Sequence, residues 1–157
     1  MLVPAVLYKK EILTEMQKYN DTEDMMYYSG CSGNILPSIE DNNGGNTYQY
    51  AIVSNNKLIG YFIYQVDWHY SCAYGFGLFS FDRNNITIGI DVYRELKKII
   101  NNYHIHRIEW EMLGGNPVQK HYDNFCKKYR GKKYIFTDLF RDRYGNYHDG
   151  ITYEINL

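Results

Sequence analysis

Between Tyr48 and Phe81 the chain reads as three successive strand-like runs, YQYAIVS, LIGYFIYQV and CAYGFGLFSF, the first two separated by Asn55-Asn56-Lys57. Neighbours this close in sequence join most simply as antiparallel strands. Asp82 to Thr87 interrupts the pattern, and Ile88 to Tyr103 then places Val92, Tyr93, Leu96, Ile99, Ile100 and Tyr103 on one helical stripe. A short strand, Arg107 to Leu113, follows. The intervening helix supplies the crossover that a parallel pair needs, so the third run and this strand are expected to lie parallel.

The flanking segments complete the order. Leu2 to Tyr8 reads as a first strand, and KKEILTEMQKYN as a helix burying Ile12, Leu13, Met16 and Tyr19. Asp21 caps a second helical piece through Met25, Met26 and Tyr27, and Ser29 to Thr47 has no period, as expected of a functional or mobile loop. Val118, His121, Tyr122, Phe125, Cys126 and Tyr129 stripe a further helix that Gly131 stops. A hairpin turning at Tyr144-Gly145-Asn146 ends the chain. The expected order is β-α-α-β-β-β-α-β-α-β-β, an α/β (α+β) fold on a mixed, mostly antiparallel sheet, in a single domain over residues 1–157.

Composition narrows the partners. A formal net charge of -1 removes the global basic field that accompanies nucleic-acid binding, so no nucleic acid is expected. LVPAVLY lacks a basic lead and is too short to span a bilayer, so no membrane partner is expected. Cys31, Cys72 and Cys126 follow no ligand spacing, which favours a reducing, cytoplasmic setting without disulfides. The 18 tyrosines suit strands and interfaces, and the aromatics of the last strands leave a homodimer open.

RIEWEMLGGNPVQKHYDNF and the closing HDGITYEI, in this order of elements, resemble the GNAT acetyltransferase superfamily. The resemblance rests on Trp110, Asn116, Tyr122 and Phe125 and extends over nearly the whole chain beyond Ile12. It implies two splayed central strands with acetyl-CoA between them and an amine acceptor attacking the thioester directly. The implied cofactor-binding residues are Phe79, Phe81, Asn84, Asn85, Thr87, Ile88, Gly89, Ile90 and Asn116, without a metal. It also implies Tyr122 as proton donor to the departing thiolate. The acceptor would be covered by the Ser29 to Thr47 loop, the first two helical pieces and the last hairpin.

This sequence departs from the pattern in three places. The family's pyrophosphate loop, Gln/Arg-x-x-Gly-x-Gly/Ala, is here NNITIG, where only Gly89 persists; the Asn116 to Tyr122 spacing is one residue short; and CAYGFGLFSF carries no Glu. A helix start still presents free N–H groups and partial positive charge to an anion. Glu111, nearer the end of its strand than Glu109, is the candidate base, with a salt-bridged surface pair as the alternative. Asn116 before Pro117 also reads as a helix cap, and Tyr122 as a core residue of its stripe. A GNAT-like binding or regulatory protein with weak or lost catalysis is the second reading of the whole.

Other constellations carry less. His104-Ile105-His106 lacks a third ligand, KKYRGKKY mixes cations and aromatics as helix ends commonly do, and His69 and Cys72 lack an orienting partner for nucleophilic catalysis.

Overall fold

A computed structural model describes residues 1–20, 22, 27, 36–41, 45–83 and 85–157. β1 (Leu2–Pro4) leads through a 3-10 turn, Ala5–Tyr8, into α1 (Lys9–Gln17). β2 (Thr47–Ser54), β3 (Lys57–Asp67) and β4 (Cys72–Ser80) follow. Then come α2 (Ile86–Asn102), β5 (Arg107–Leu113), α3 (Gln119–Lys128), β6 (Lys132–Arg141) and β7 (Tyr147–Asn156). The strands form one sheet in the order β1-β2-β3-β4-β5-β7-β6. Among the described residues only β4 and β5 pair in parallel, and α2 is their crossover. The expected second helical piece falls mostly outside the described residues.

Local chemistry explains most boundaries. Asn55 and Asn56 take φ of 49° and 60°, the left-handed pair that a two-residue hairpin turn requires. The first strand is shorter than expected: it stops at Pro4, and Ala5 turns into the core at 1% exposure. At the end of α3, Arg130 rather than Gly131 adopts the left-handed backbone, with φ of 55°. Gly131 N donates to Cys126 O at 2.8 Å, and a Cβ on Gly131 would lie 2.6 Å from Glu154 O. This glycine is therefore required by the close approach of β7.

Two apolar layers enclose the sheet. Ile12 and Met16 of α1 pack with Ala51, Val53, Tyr61 and Phe79 on one side. Ile39, in the described part of the long aperiodic segment, is buried there too. On the other side Ile88 and Ile99 of α2 and Cys126 of α3 pack with Ile52, Phe62, Tyr64, Ile108 and Trp110.

Candidate functional site

β4 and β5 separate almost as soon as they meet. Cys72 opposes Arg107 and Ala73 opposes Ile108, and there the pairing ends. β4 causes the separation. Opposite β3 its register slips between Tyr74 and Gly77, so that one extra residue is accommodated, and Gly75 takes φ of 63°. An extra residue with a left-handed glycine is a β-bulge, which bends its strand. It lies directly after the last paired residues, and the bend opens the cleft between β4 and β5. The glycine inside a strand-like run was the sequence signal for this feature, and CAYGFGLFSF read as a plain strand misses it.

The cleft wall on β4 is backbone. Phe81 N donates to Ile59 O at 2.9 Å, toward β3. Alternation along the strand then turns the N–H and C=O groups of Leu78 and Ser80 toward the cleft. Phe79 and Phe81, expected to bind cofactor, are placed otherwise. Phe79 is 3% exposed in the α1-side core against Tyr19, with Phe81 beside it at a ring distance of 5.4 Å. Leu78 and Ser80 take their place at the cleft, a choice of strand parity that only the register reveals.

Each splayed strand also carries an unpaired buried polar atom, Ser80 Oγ on β4 and Trp110 Nε1 on β5, neither with a hydrogen-bond partner among the described residues. Buried polar atoms are rarely left so.

The start of α2 lies at the end of β4. Asn85 caps it, its Oδ1 accepting from Thr87 N at 3.1 Å while its Nδ2 donates to Asp82 Oδ2 at 3.2 Å. Thr87 N–H is thereby already engaged. Ile88 is a core residue at 6% exposure, its side chain packed against the sheet. Asn84 lies outside the described residues. Gly89 is different: a Cβ there would meet nothing within 4 Å, so internal packing gives no reason for a glycine. Ile86 and Ile90 flank it at 79% and 43% exposure, and the first turn holds no acid. The first turn itself is open and carries no charge, with the positive end of the helix dipole behind it, which fits an anionic pyrophosphate approaching from the side away from the Asp82 carboxylate at the cap.

Asn116 does not cap α3, which begins at Gln119 with Val118 as its cap residue and no side-chain cap bond; instead it holds the preceding turn, its Oδ1 accepting from Val118 N at 3.1 Å and its Nδ2 donating to Tyr27 O at 3.3 Å. Tyr122 lies on the α3 side of β5, edge-on to Trp110 at 6.1 Å and to Tyr153 at 6.3 Å. Burial pushes its phenol pKa up. Glu111 is exposed and alternates with Trp110, so it occupies the opposite sheet face. The structure thus leaves Tyr122 and Glu111 on opposite faces of one cleft-bordering strand. Glu109 instead pairs with Arg107 at 3.4 Å.

The cations of KKYRGKKY make surface pairs, whereas Cys72 is buried at 4% exposure with Arg107 Nε donating to its Sγ at 3.5 Å. Lys128 donates to Tyr93 Oη at 2.6 Å and Lys133 to Asp123 at 2.7 Å. Among the described residues no group of three or more His, Cys, Asp or Glu could hold a metal ion, and no helix is long and apolar enough to cross a membrane.

No protein-family model and no curated protein sequence matches the chain. Solved structures do. An N-acetyltransferase from Staphylococcus aureus Mu50 aligns over 99% of this chain and 97% of its own, with a TM-score of 0.70 at 13% identity. A spermidine/spermine N-acetyltransferase from Vibrio cholerae aligns over 73% of this chain and 67% of its own, at a TM-score of 0.58 and 15% identity. Against a probable acetyltransferase the TM-score is 0.55 at 13% identity, with 71% of this chain spanning 62% of that one. The strand order, the bulged and splayed parallel pair and these likenesses together establish that the chain has the fold of the GNAT N-acetyltransferases.

Proposed function

We propose that the protein is an N-acetyltransferase that binds acetyl-CoA between β4 and β5 and passes the acetyl group to an amine in a ternary complex. The observation that carries this reading is the pairing of β4 with β5 over two residues only, followed by an open backbone edge that ends at the capped start of α2. The outward N–H and C=O groups of Leu78 and Ser80 extend a strand-like pairing to the amides of the pantetheine arm. The start of α2, open at Gly89, receives the pyrophosphate. The acceptor nitrogen attacks the thioester carbonyl and the C–S bond breaks. Glu111, directly or through water, takes the proton that the new amide nitrogen loses, and Tyr122 gives its phenolic proton to the departing thiolate. Solvent then restores both groups. Orientation contributes most of the rate, since direct transfer needs only a deprotonated amine held close to the carbonyl.

Isothermal titration with acetyl-CoA tests the reading, and Gly89 gives it a signature. Because a Cβ at Gly89 meets nothing, Gly89→Ala should stabilise the fold by up to about 1 kcal/mol through helix propensity. The same methyl intrudes where a pyrophosphate approaches the backbone and should weaken acetyl-CoA. Gly89→Asp adds like charge and should cost at least about tenfold in affinity, roughly 1.4 kcal/mol. Higher stability with lower affinity is the expected pair of results. Wild-type protein that gives no heat at millimolar acetyl-CoA, or a folded Gly89→Asp variant that binds normally, removes this site. Normal binding with no turnover on any amine supports the binding-protein alternative.

A further inference from the structure

The two edges of the sheet are unlike. β1 is three residues long, whereas β6 runs ten residues and leaves every one but Phe140 exposed. Four of these exposed residues are apolar, Tyr134 at 40%, Ile135 at 58%, Phe136 at 50% and Leu139 at 55%, framed by Lys132, Lys133, Thr137, Asp138 and Arg141, with Tyr147 of β7 at 60% beside them. A long apolar edge with free backbone groups invites pairing with another strand, and stable proteins blunt or cover it.

We infer that β6 is the interface of a homodimer, in which two copies of this chain pair their β6 strands antiparallel about a two-fold axis and continue the sheet. Three observations favour a second copy. The first is that the apolar side chains point both ways: Ile135 opposes Ile151 on the α3 side, whereas Tyr134 and Phe136 oppose Thr152 and Gly150 on the other. A partner packed on one face covers only half of them, whereas a continued sheet covers both.

The second is self-complementarity. A two-fold axis through Ile135 sets Ile135 against its own copy and Tyr134 against Phe136, so that facing residues share a sheet face as strand pairing demands. The same register sets Lys132 opposite Asp138. It ends where β6 itself ends its regular course, since its pairing with β7 is irregular between Phe136 and Phe140 and Asp138 has φ of 55°. The third is area. The three large side chains inside that register, Tyr134, Ile135 and Phe136, each roughly half exposed, offer on the order of 100 Å2 apiece. With the strand backbone and flanking Lys and Asp, this reaches roughly half of the ~800 Å2 per partner of a standard interface, which suits a micromolar dimer.

Sedimentation velocity of the purified chain from about 1 to 100 µM should show a species of twice the 18.7 kDa chain mass, with a Kd below about 10 µM. Ile135→Asp places two carboxylates face to face on the axis and should weaken the dimer at least about tenfold. Leu7→Asp, at a residue 68% exposed elsewhere, should leave the dimer intact. Amide hydrogen exchange of wild-type protein should show residues 132–137 slowing at least about tenfold between the dilute and the concentrated sample. That measurement decides the matter even if Ile135→Asp does not fold. A wild-type monomer throughout, a dimer indifferent to Ile135→Asp, unbounded aggregation, or exchange independent of concentration would each overturn the inference. A wild-type monomer would leave β6 to a strand from a different protein.

Discussion

Tyr122→Phe is expected to lower kcat for acetyl transfer by about 10²–10⁴-fold, the usual contribution of a positioned general acid. Acetyl-CoA affinity should stay within about threefold, because in the proposed role the hydroxyl acts only on the departing sulfur. The ring holds its place through edge contacts with Trp110 and Tyr153, and phenylalanine keeps both. Burial raises the phenol pKa, which keeps the proton on the ring at neutral pH and makes its donation harder. From ordinary values of about 10 and 8.5, donation to a thiolate is uphill by roughly 2 kcal/mol, and a dry site raises both. A positioned donor overcomes such a gap, because the proton moves as the C–S bond breaks. Stability separates this role from packing. Among the described residues the Tyr122 hydroxyl has no hydrogen-bond partner, so melting should move little in the Phe variant. A Phe variant that turns over within about threefold of wild type would assign Tyr122 to packing alone.

The strands around the site were legible in the sequence because each repeats its period over seven residues or more, and β5 has the bounds read from Arg107 and Leu113. The cleft itself was legible only through a resemblance. Its local cause, the bulge at Gly75, depends on which β3 residue faces which β4 residue, and a single strand's periodicity does not contain that register. Register also decides that Leu78 and Ser80, rather than Phe79 and Phe81, turn their backbone groups toward the cleft. Helix α2 shows a second limit. Its apolar stripe placed Tyr93 inward, yet Tyr93 lies against Phe125 and Lys128, while Asp91 and Glu95 are buried at 5% and 7% exposure. Hydrophobic periodicity leaves carboxylates outside the buried face. Glu95 goes inside because tyrosines more than 30 residues away reach it, and no local pattern announces such partners.

Glu95→Ala is expected to destabilise the fold by about 3–5 kcal/mol, since hydrogen bonds to a charged group are worth about 1.5–3 kcal/mol each and two are lost. Tyr64 Oη donates to Glu95 Oε1 at 2.8 Å and Tyr50 Oη at 3.3 Å, tying α2 to β3 and β2. Removing the carboxylate leaves both phenols without this acceptor in a buried setting, and melting should fall by on the order of 10 °C. Glu95→Gln keeps an oxygen acceptor and should cost about 1 kcal/mol. Alkaline pH offers an independent check. Burial, and after it the Glu95 charge, raises both phenols, with Tyr50 pushed up to about 12 and Tyr64 further. A phenol whose folded pKa exceeds its unfolded value of about 10 favours the folded state fully below pH 10. That contribution is lost as the pH rises through the folded value. Wild-type stability should therefore decline between about pH 10 and 12, and the decline should be shallower in Glu95→Gln, where the repelling carboxylate is gone. The gap between the two proteins should narrow across that window. A gap independent of pH, or an Ala variant melting with wild type, would mean that Tyr50 and Tyr64 hold α2 without Glu95. The tie also bears on the cleft: α2 presents its capped start to the end of β4 only while its middle is fixed to β2 and β3, so Glu95→Ala should weaken acetyl-CoA from a position more than two helical turns from Asn85.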